Sequence, residues 1–225
     1  SGKLAVFATY GVFAAHRAAD QIRISICYNN LHVIIGGAHA GISVGPDGAT
    51  HQALEDLSVM RALPNMTVLS PCDAAETRQA VLAAAEIHGP VYIRFGRAPV
   101  PDFSMPDKKF IPGKAETLLD GQDISIIATG HMVWEALQAA AMLAQQGISA
   151  RVVNMNTIKP LDKTIITKAA RETGCLFTIE EHQHSGGLGS AVAEAVAESH
   201  PAYVYRIGMP DTFGESGQPS ELMDK

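Results

Sequence analysis

Between Gly36 and Asp73 the chain reads GGAHAGISVGPDGATHQALEDLSVMRALPNMTVLSPCD. The apolar run Leu31–Ile35 before it predicts a buried parallel strand. Five glycines follow within 13 residues, which predicts a tight, ligand-approaching loop at the strand's carboxyl end. Residues 51–62 predict a helix, Pro64-Asn65 a break, and Met66–Leu69 the next strand. In open α/β sheets a loop in that place is where ligands bind. His39, Asp47, Thr50 and His51 stand in it, so two imidazoles and a carboxylate form a candidate site. Spacing alone leaves open a plainer reading, in which Asp47-Gly48 is a turn and Thr50 caps a helix at His51.

The same strand–helix rhythm extends both ways. Leu4–Thr9 predicts a buried strand and residues 11–26 a helix, with Val12, Phe13, Ala15, Ala18, Ala19, Ile22 and Ile26 at helical spacing. Asp73-Ala-Ala-Glu76 has capping-box spacing ahead of an alanine-rich helix to Ile87, and Val91–Phe95 is the next strand. Residues 98–118, with four prolines and mixed charges, read as an extended linker. Beyond it come strands at Ile124–Thr129, Ala150–Met155, Leu176–Glu180 and Tyr203–Ile207. Helices at 131–146, Lys163–Thr173 and 188–199 separate them. The expected fold is α/β, with two domains of mostly parallel sheet and helices on both faces. The boundaries are 1–97, a linker at 98–118, and 119–225. The chain opens directly into a strand, so the first domain reads as clipped.

Composition narrows the function. A net charge of −6, no basic run and few aromatics argue against nucleic acid. The apolar runs fall far short of the ~18 residues of a membrane span, and the amino end is unlike a signal peptide. Cys27, Cys72 and Cys175, odd in number and widely spaced, fit reduced thiols in a cytoplasm. His182 and His184 are spaced like a metal pair, but no third ligand joins them, so they read as loop residues and no metal site is assigned. Gly186-Gly187-Leu188-Gly189 before a helix hints at an anion site.

The run GPDGATHQALEDLSVMRALPNMTVLSPCDAAE resembles the pyrimidine-domain signature of the transketolase family, in which D-G-x-[ST]-H-Q is followed by R-x-x-P-N-M and a P-x-D strand end. The order of elements along all 225 residues is similar too. The resemblance is to the carboxyl-terminal subunit of a split transketolase. It implies two three-layer α/β domains, a pyrimidine-binding domain and a transketolase carboxyl-terminal domain. The implied activity moves a two-carbon ketol unit from a ketose phosphate to an aldose phosphate, with thiamine diphosphate as cofactor. By matched position, Asp47 and His51 would be catalytic. His39 and Arg94 would bind the sugar phosphate, and Tyr10, Phe13 and His16 would line the aminopyrimidine. Relatives of 1-deoxy-D-xylulose-5-phosphate synthases, of 2-oxoacid dehydrogenase beta subunits, or a non-catalytic scaffold of the same fold are the alternatives.

Two expected elements have no match. The family's activating glutamate would fall in a helix before residue 1. The Gly-Asp-Gly…Asn motif that holds diphosphate and magnesium is also absent from these 225 residues. The resemblance therefore implies a partner chain of roughly 270–300 residues carrying the diphosphate and magnesium ligands. It also implies self-association of this chain as a homodimer within a heterotetramer.

Overall fold

The structure, a computed structural model, describes residues 2–225. It contains two five-stranded, mostly parallel mixed sheets with helices packed against them. In the first half β1 (Ala5–Tyr10) leads into a helical stretch, then β2 (Val33–Ala38), a tight turn at Ile42–Asp47, α2 (Asp56–Ala62), β3 (Thr67–Leu69), α3 (Ala74–Ala84) and β4 (Val91–Arg94). The first strand, expected to be buried, is largely exposed, because it is the edge of its sheet and pairs with β2 alone. The helical stretch is α1 (Ala19–Gln21) flanked by wider, π-helical turns at Phe13–Arg17 and Ile22–Cys27. In those turns Ala18 N–H reaches Phe13 O and Tyr28 N–H reaches Arg23 O, five residues back, both at 2.9 Å. Such turns recur at functional sites.

The second half contains β5 (Glu116–Leu119), β6 (Ile124–Ala128), α4 (Met132–Gln145), β7 (Ala150–Asn154), β8 (Thr157–Lys159), α5 (Lys163–Thr173), β9 (Cys175–Gln183), α6 (Leu188–Ser199), β10 (Tyr203–Met209) and α7 (Pro219–Met223). The first sheet runs β1-β2-β4-β3-β8 and the second β10-β9-β6-β7-β5. β8 pairs antiparallel with β3, so a strand from the second half completes the first sheet. β5 pairs antiparallel with β7, so the segment read as linker ends inside the second sheet. Much of that linker is pinned. Asp73 Oδ2 accepts from the amides of Phe103 (3.0 Å) and Ser104 (2.7 Å), and Phe110 is buried.

Local chemistry sets the helix ends. Asp73 caps α3 by accepting the Glu76 amide at 2.8 Å, as its spacing predicts. The return bond goes one residue further back, from the Cys72 amide to Glu76 at 2.7 Å, because Glu76 is also held by Asn154 and Asn156 of the second half. Asp162 caps α5, and Gly174 ends it in the left-handed conformation. α2 begins at Asp56 rather than at 51, and Thr50 caps nothing. Residues 49–51 instead form a turn, and Ala53 makes an isolated parallel bridge to Ala40. The Gln52 side chain there bonds the carbonyls of Ile42 (3.3 Å) and Glu215 (3.0 Å).

One apolar core joins both sheets. It runs from Ile35, Leu57, Met60 and Tyr92 to Ile127, Val153, Leu188 and Val192. At its upper edge lies a buried ion pair. Arg94 Nε is 3.0 Å from Asp56 Oδ2, and Tyr92 donates to the same carboxylate at 2.8 Å. Tyr92 reaches it by crossing Gly37, where a Cβ would overlap the phenol ring. Arg94 Nη2 donates to the carbonyls of Ala53 (3.1 Å) and Glu181 (2.8 Å). Burial works against the Arg94 charge, but the Asp56 and Glu181 charges outweigh it and hold the guanidinium above its ordinary pKa. Asp56→Ala would leave that charge buried and uncompensated. A loss of about 3–5 kcal/mol in urea denaturation is expected, and a change under 1 kcal/mol would contradict the assigned role.

Candidate functional site

The loop that follows β2 turns back on itself. Ala40 N–H bonds Phe95 O at 3.3 Å and Gly41 N–H bonds Ala53 O at 3.0 Å, which anchors the start of the loop on two neighbouring segments. His39 sits in the left-handed region, φ +57°, which a non-glycine residue holds only under surrounding constraint. That turn aims its ring at Tyr10.

Four rings meet there. Tyr10 lies edge-on to Phe13 (5.4 Å between centroids), to His39 (4.4 Å) and to His51 (5.2 Å), and Phe13 lies 5.4 Å from His51. All four are half-buried, so a wall remains open for a flat ligand. Thr50 Oγ1 is 2.9 Å from His51 Nδ1, so this contact engages Nδ1 and not Nε2. Arg17 covers Phe13 at 4.2 Å from the ring centroid. His16, on the same helical stretch, is exposed and bonds Glu55 Oε2 at 3.3 Å instead of joining the cluster.

The end where the resemblance puts the sugar phosphate differs from expectation. Arg94, expected at the phosphate, is 5% exposed and its Nε and Nη2 are committed to Asp56 and to backbone carbonyls. The reason is its place on β4, which has β2 and β3 on either side, so the strand is buried along its whole length. Arg97, which the motif does not single out, takes the open position. It lies past the strand end, is exposed, donates to Val44 O at 2.9 Å and stands 3.8 Å from Asp47 Oδ1. A signal is present in the sequence: within Arg94-Phe95-Gly96-Arg97 only the second arginine lies beyond the central strand. His39 Nδ1 is buried without a partner, and burial first, then the Arg97 charge, push its pKa below the ordinary range. Neutral His39 beside cationic Arg97 suits an anionic group.

The second half contributes differently. His182, expected in a loop, lies on β9, fully buried. It accepts from the Ser58 amide at 3.3 Å, and its Nδ1 is 2.8 Å from Gln183 O. His184 follows the strand. Among the described residues no group of three His, Cys, Asp or Glu is placed to hold a metal. The α6 amino end does receive an anion, from within the chain. The amides of Leu188 and Gly189 donate to Glu180 at 2.6 and 2.7 Å. Burial, partly offset by those two amides, raises Glu180 to about 7. A cleft of about 620 Å³, lined by Ile42, Gln52, Met132, Met209, Phe213 and Leu222, lies under the glycine loop and contains none of the aromatic cluster. No helix of the described residues is long and apolar enough to cross a membrane.

By histidine-resolved NMR titration, His39 is expected to titrate below 6.5. Arg97→Gln is expected to move that midpoint upward, since it removes a nearby positive charge. An unchanged midpoint would separate the two groups.

Two family models match. The transketolase pyrimidine binding domain covers residues 1–102 and the transketolase C-terminal domain covers residues 113–225. The chain is similar to an apulose-4-phosphate transketolase subunit of Phocaeicola vulgatus, with 43% identity over 99% of this chain and 71% of that protein. It is similar to the 6-deoxy-6-sulfo-D-fructose transketolase subunit SqwH of a Clostridium species, with 42% identity over 100% of this chain and 70% of that protein. It superposes on a split-gene transketolase solved as an inactive β4 tetramer, at TM-score 0.93 and 51% identity, over 99% of this chain and 71% of that one. The fold, the matched domains and these relatives together establish that the chain belongs to the transketolase family, among the subunits of split transketolases that pair a pyrimidine-binding with a carboxyl-terminal domain.

Proposed function

We propose that this chain is the pyrimidine- and substrate-binding subunit of a two-chain, thiamine-diphosphate-dependent transketolase working in the cytoplasm. It would move a two-carbon ketol unit from an anionic ketose, a phosphate ester, to an aldose phosphate. The observation that carries this reading is the convergence of Tyr10, Phe13, His39 and His51 on one half-open wall beside Asp47 and Arg97. The two relatives are named for sugars that carry a phosphate or a sulfo group, in keeping with an Arg97–His39 anion site.

The wall fits the cofactor's ring. Tyr10 and Phe13 offer edges and faces to a flat heterocycle, and His16 lies one helical turn further on. Thiamine diphosphate, when bound, supplies the carbon nucleophile for ketol transfer. Asp47 accepts a hydrogen bond from a substrate hydroxyl next to the reacting carbonyl, and His51, its Nδ1 held by Thr50, exchanges a proton through Nε2. Arg97 and His39 hold the anionic end of the sugar. The diphosphate and magnesium ligands are assigned to a partner amino-terminal subunit. Two copies of this chain would pair about a two-fold axis inside a heterotetramer, since closed symmetry is the commonest arrangement. The β4 assembly of the split-gene neighbour supports self-pairing of such chains. Exposed Val6, Phe7, Ile24, Tyr28 and Leu31 offer the apolar surface.

Calorimetry on this chain alone is expected to show no tight binding of thiamine diphosphate with magnesium; a sub-micromolar constant would refute the assignment of their ligands to a partner. In the reconstituted complex, Asp47→Ala is expected to lower donor turnover by one to two decades, about 1.5–3 kcal/mol, with cofactor affinity little changed. Equal losses in both would make Asp47 a cofactor or folding residue.

A further inference from the structure

The loop that carries Asp47 rests on the second domain. Glu181, near the end of β9, is 5% exposed, and its Oε1 accepts the Ser43 amide at 2.8 Å. Its Oε2 lies 3.5 Å from His131 Nδ1, and the same nitrogen is 3.3 Å from Ser43 Oγ. The backbone approaches the carboxylate so closely at Gly41, φ +84°, that a Cβ there would lie 2.7 Å from Glu181 Cβ and Oε1. The carbonyl of the same residue accepts from Arg94. Thus one residue of the second domain touches both the buried ion pair and the first turn of Ile42–Asp47. Ser43 and Asp47 belong to the same tight turn, so an amide fixed at 43 constrains the carboxylate at 47.

We propose that Glu181 is a positioning residue for ketol transfer: its carboxylate, braced by His131, fixes the Gly41–Gly48 loop and so sets where Asp47 meets the substrate. The proposal rests on the functional reading above and deepens it, because it gives the carboxyl-terminal domain a part in the chemistry. Glu181 touches no substrate. It acts through the Ser43 amide, a charge-assisted bond of the strong class in a buried site.

Two variants, Glu181→Ala and Glu181→Gln, test it in the full chain assembled with its partner subunit. Amide hydrogen exchange over residues 41–48 and steady-state kinetics are read together. Glu181→Ala is expected to speed loop exchange about ten- to hundredfold and to lower kcat about tenfold or more, with KM for the donor changed less. Glu181→Gln keeps an oxygen acceptor for the Ser43 amide and is expected to recover much of both losses. Loop exchange and kcat at wild-type values in Glu181→Ala would overturn the proposal. So would loss of protection spread through β6 and β7 in both variants, which would make Glu181 a residue of the fold alone. The exchange readout needs no catalysis. A wild-type complex that transfers no ketol unit would refute the functional reading, while loop exchange would still decide the positioning role.

Discussion

The Asp56–Arg94 ion pair is the constraint on which the rest depends. Two opposite charges taken out of water repay their desolvation only if every remaining donor finds an acceptor. Asp56 comes from the start of α2, the Ala53 carbonyl from the turn before it, and the Glu181 carbonyl from the other sheet. The guanidinium therefore has its acceptors only when both sheets stand in their native relation. The pair contributes less to net stability than to uniqueness: a shifted domain arrangement would strand a buried cation. Tyr92 adds a third element, since its hydroxyl reaches Asp56 only across the bare backbone of Gly37.

That arrangement also divides labour between two arginines three positions apart. Arg94 is spent on architecture inside the sheet, and Arg97, just past the strand, keeps its charge at the loop surface beside Asp47 and His39. A similar division holds among anions. Glu180 fills the amino end of α6 from within, so the glycine-rich turn there is closed to an external phosphate. Glu181 next to it turns instead toward the Ser43 amide. Neighbours on one strand face opposite ways, and period-two alternation assigns them different duties.

Much of the fold was legible because its long elements carry strong patterns. The helices at 163–173 and 188–199 fall where the sequence places them, with Gly174 just past the end of the first and Gly186-Gly187 before the second. β5 and β8 were not legible. At four and three residues, antiparallel and paired with distant strands, they have too little sequence to show a period. The candidate site was legible as a place in the fold, since motif order picks out Tyr10, Phe13, His39 and His51, whose rings the structure brings together. It was not legible at Arg94 and Arg97, where depth within the sheet decides. Nor was it at Glu181, whose bond to Ser43 joins residues 138 apart. His16 fell on the expected helical stretch, yet the π-helical turns and Glu55 take its ring elsewhere.

The short strand β8 has a consequence for how the chain acquires its shape. The first sheet lacks its last strand until residues 157–159 exist, although its other four strands are complete by residue 94. A nascent chain emerging in order thus exposes the bare rim of β3 while more than sixty residues are still to be made, an interval read from those bounds. Contacts this distant in sequence slow folding and leave unpaired rims open to wrong partners. Three residues borrowed from the second half therefore bind the two domains into a single cooperative unit. They leave little scope for either to mature, or to be lost by proteolysis, without the other.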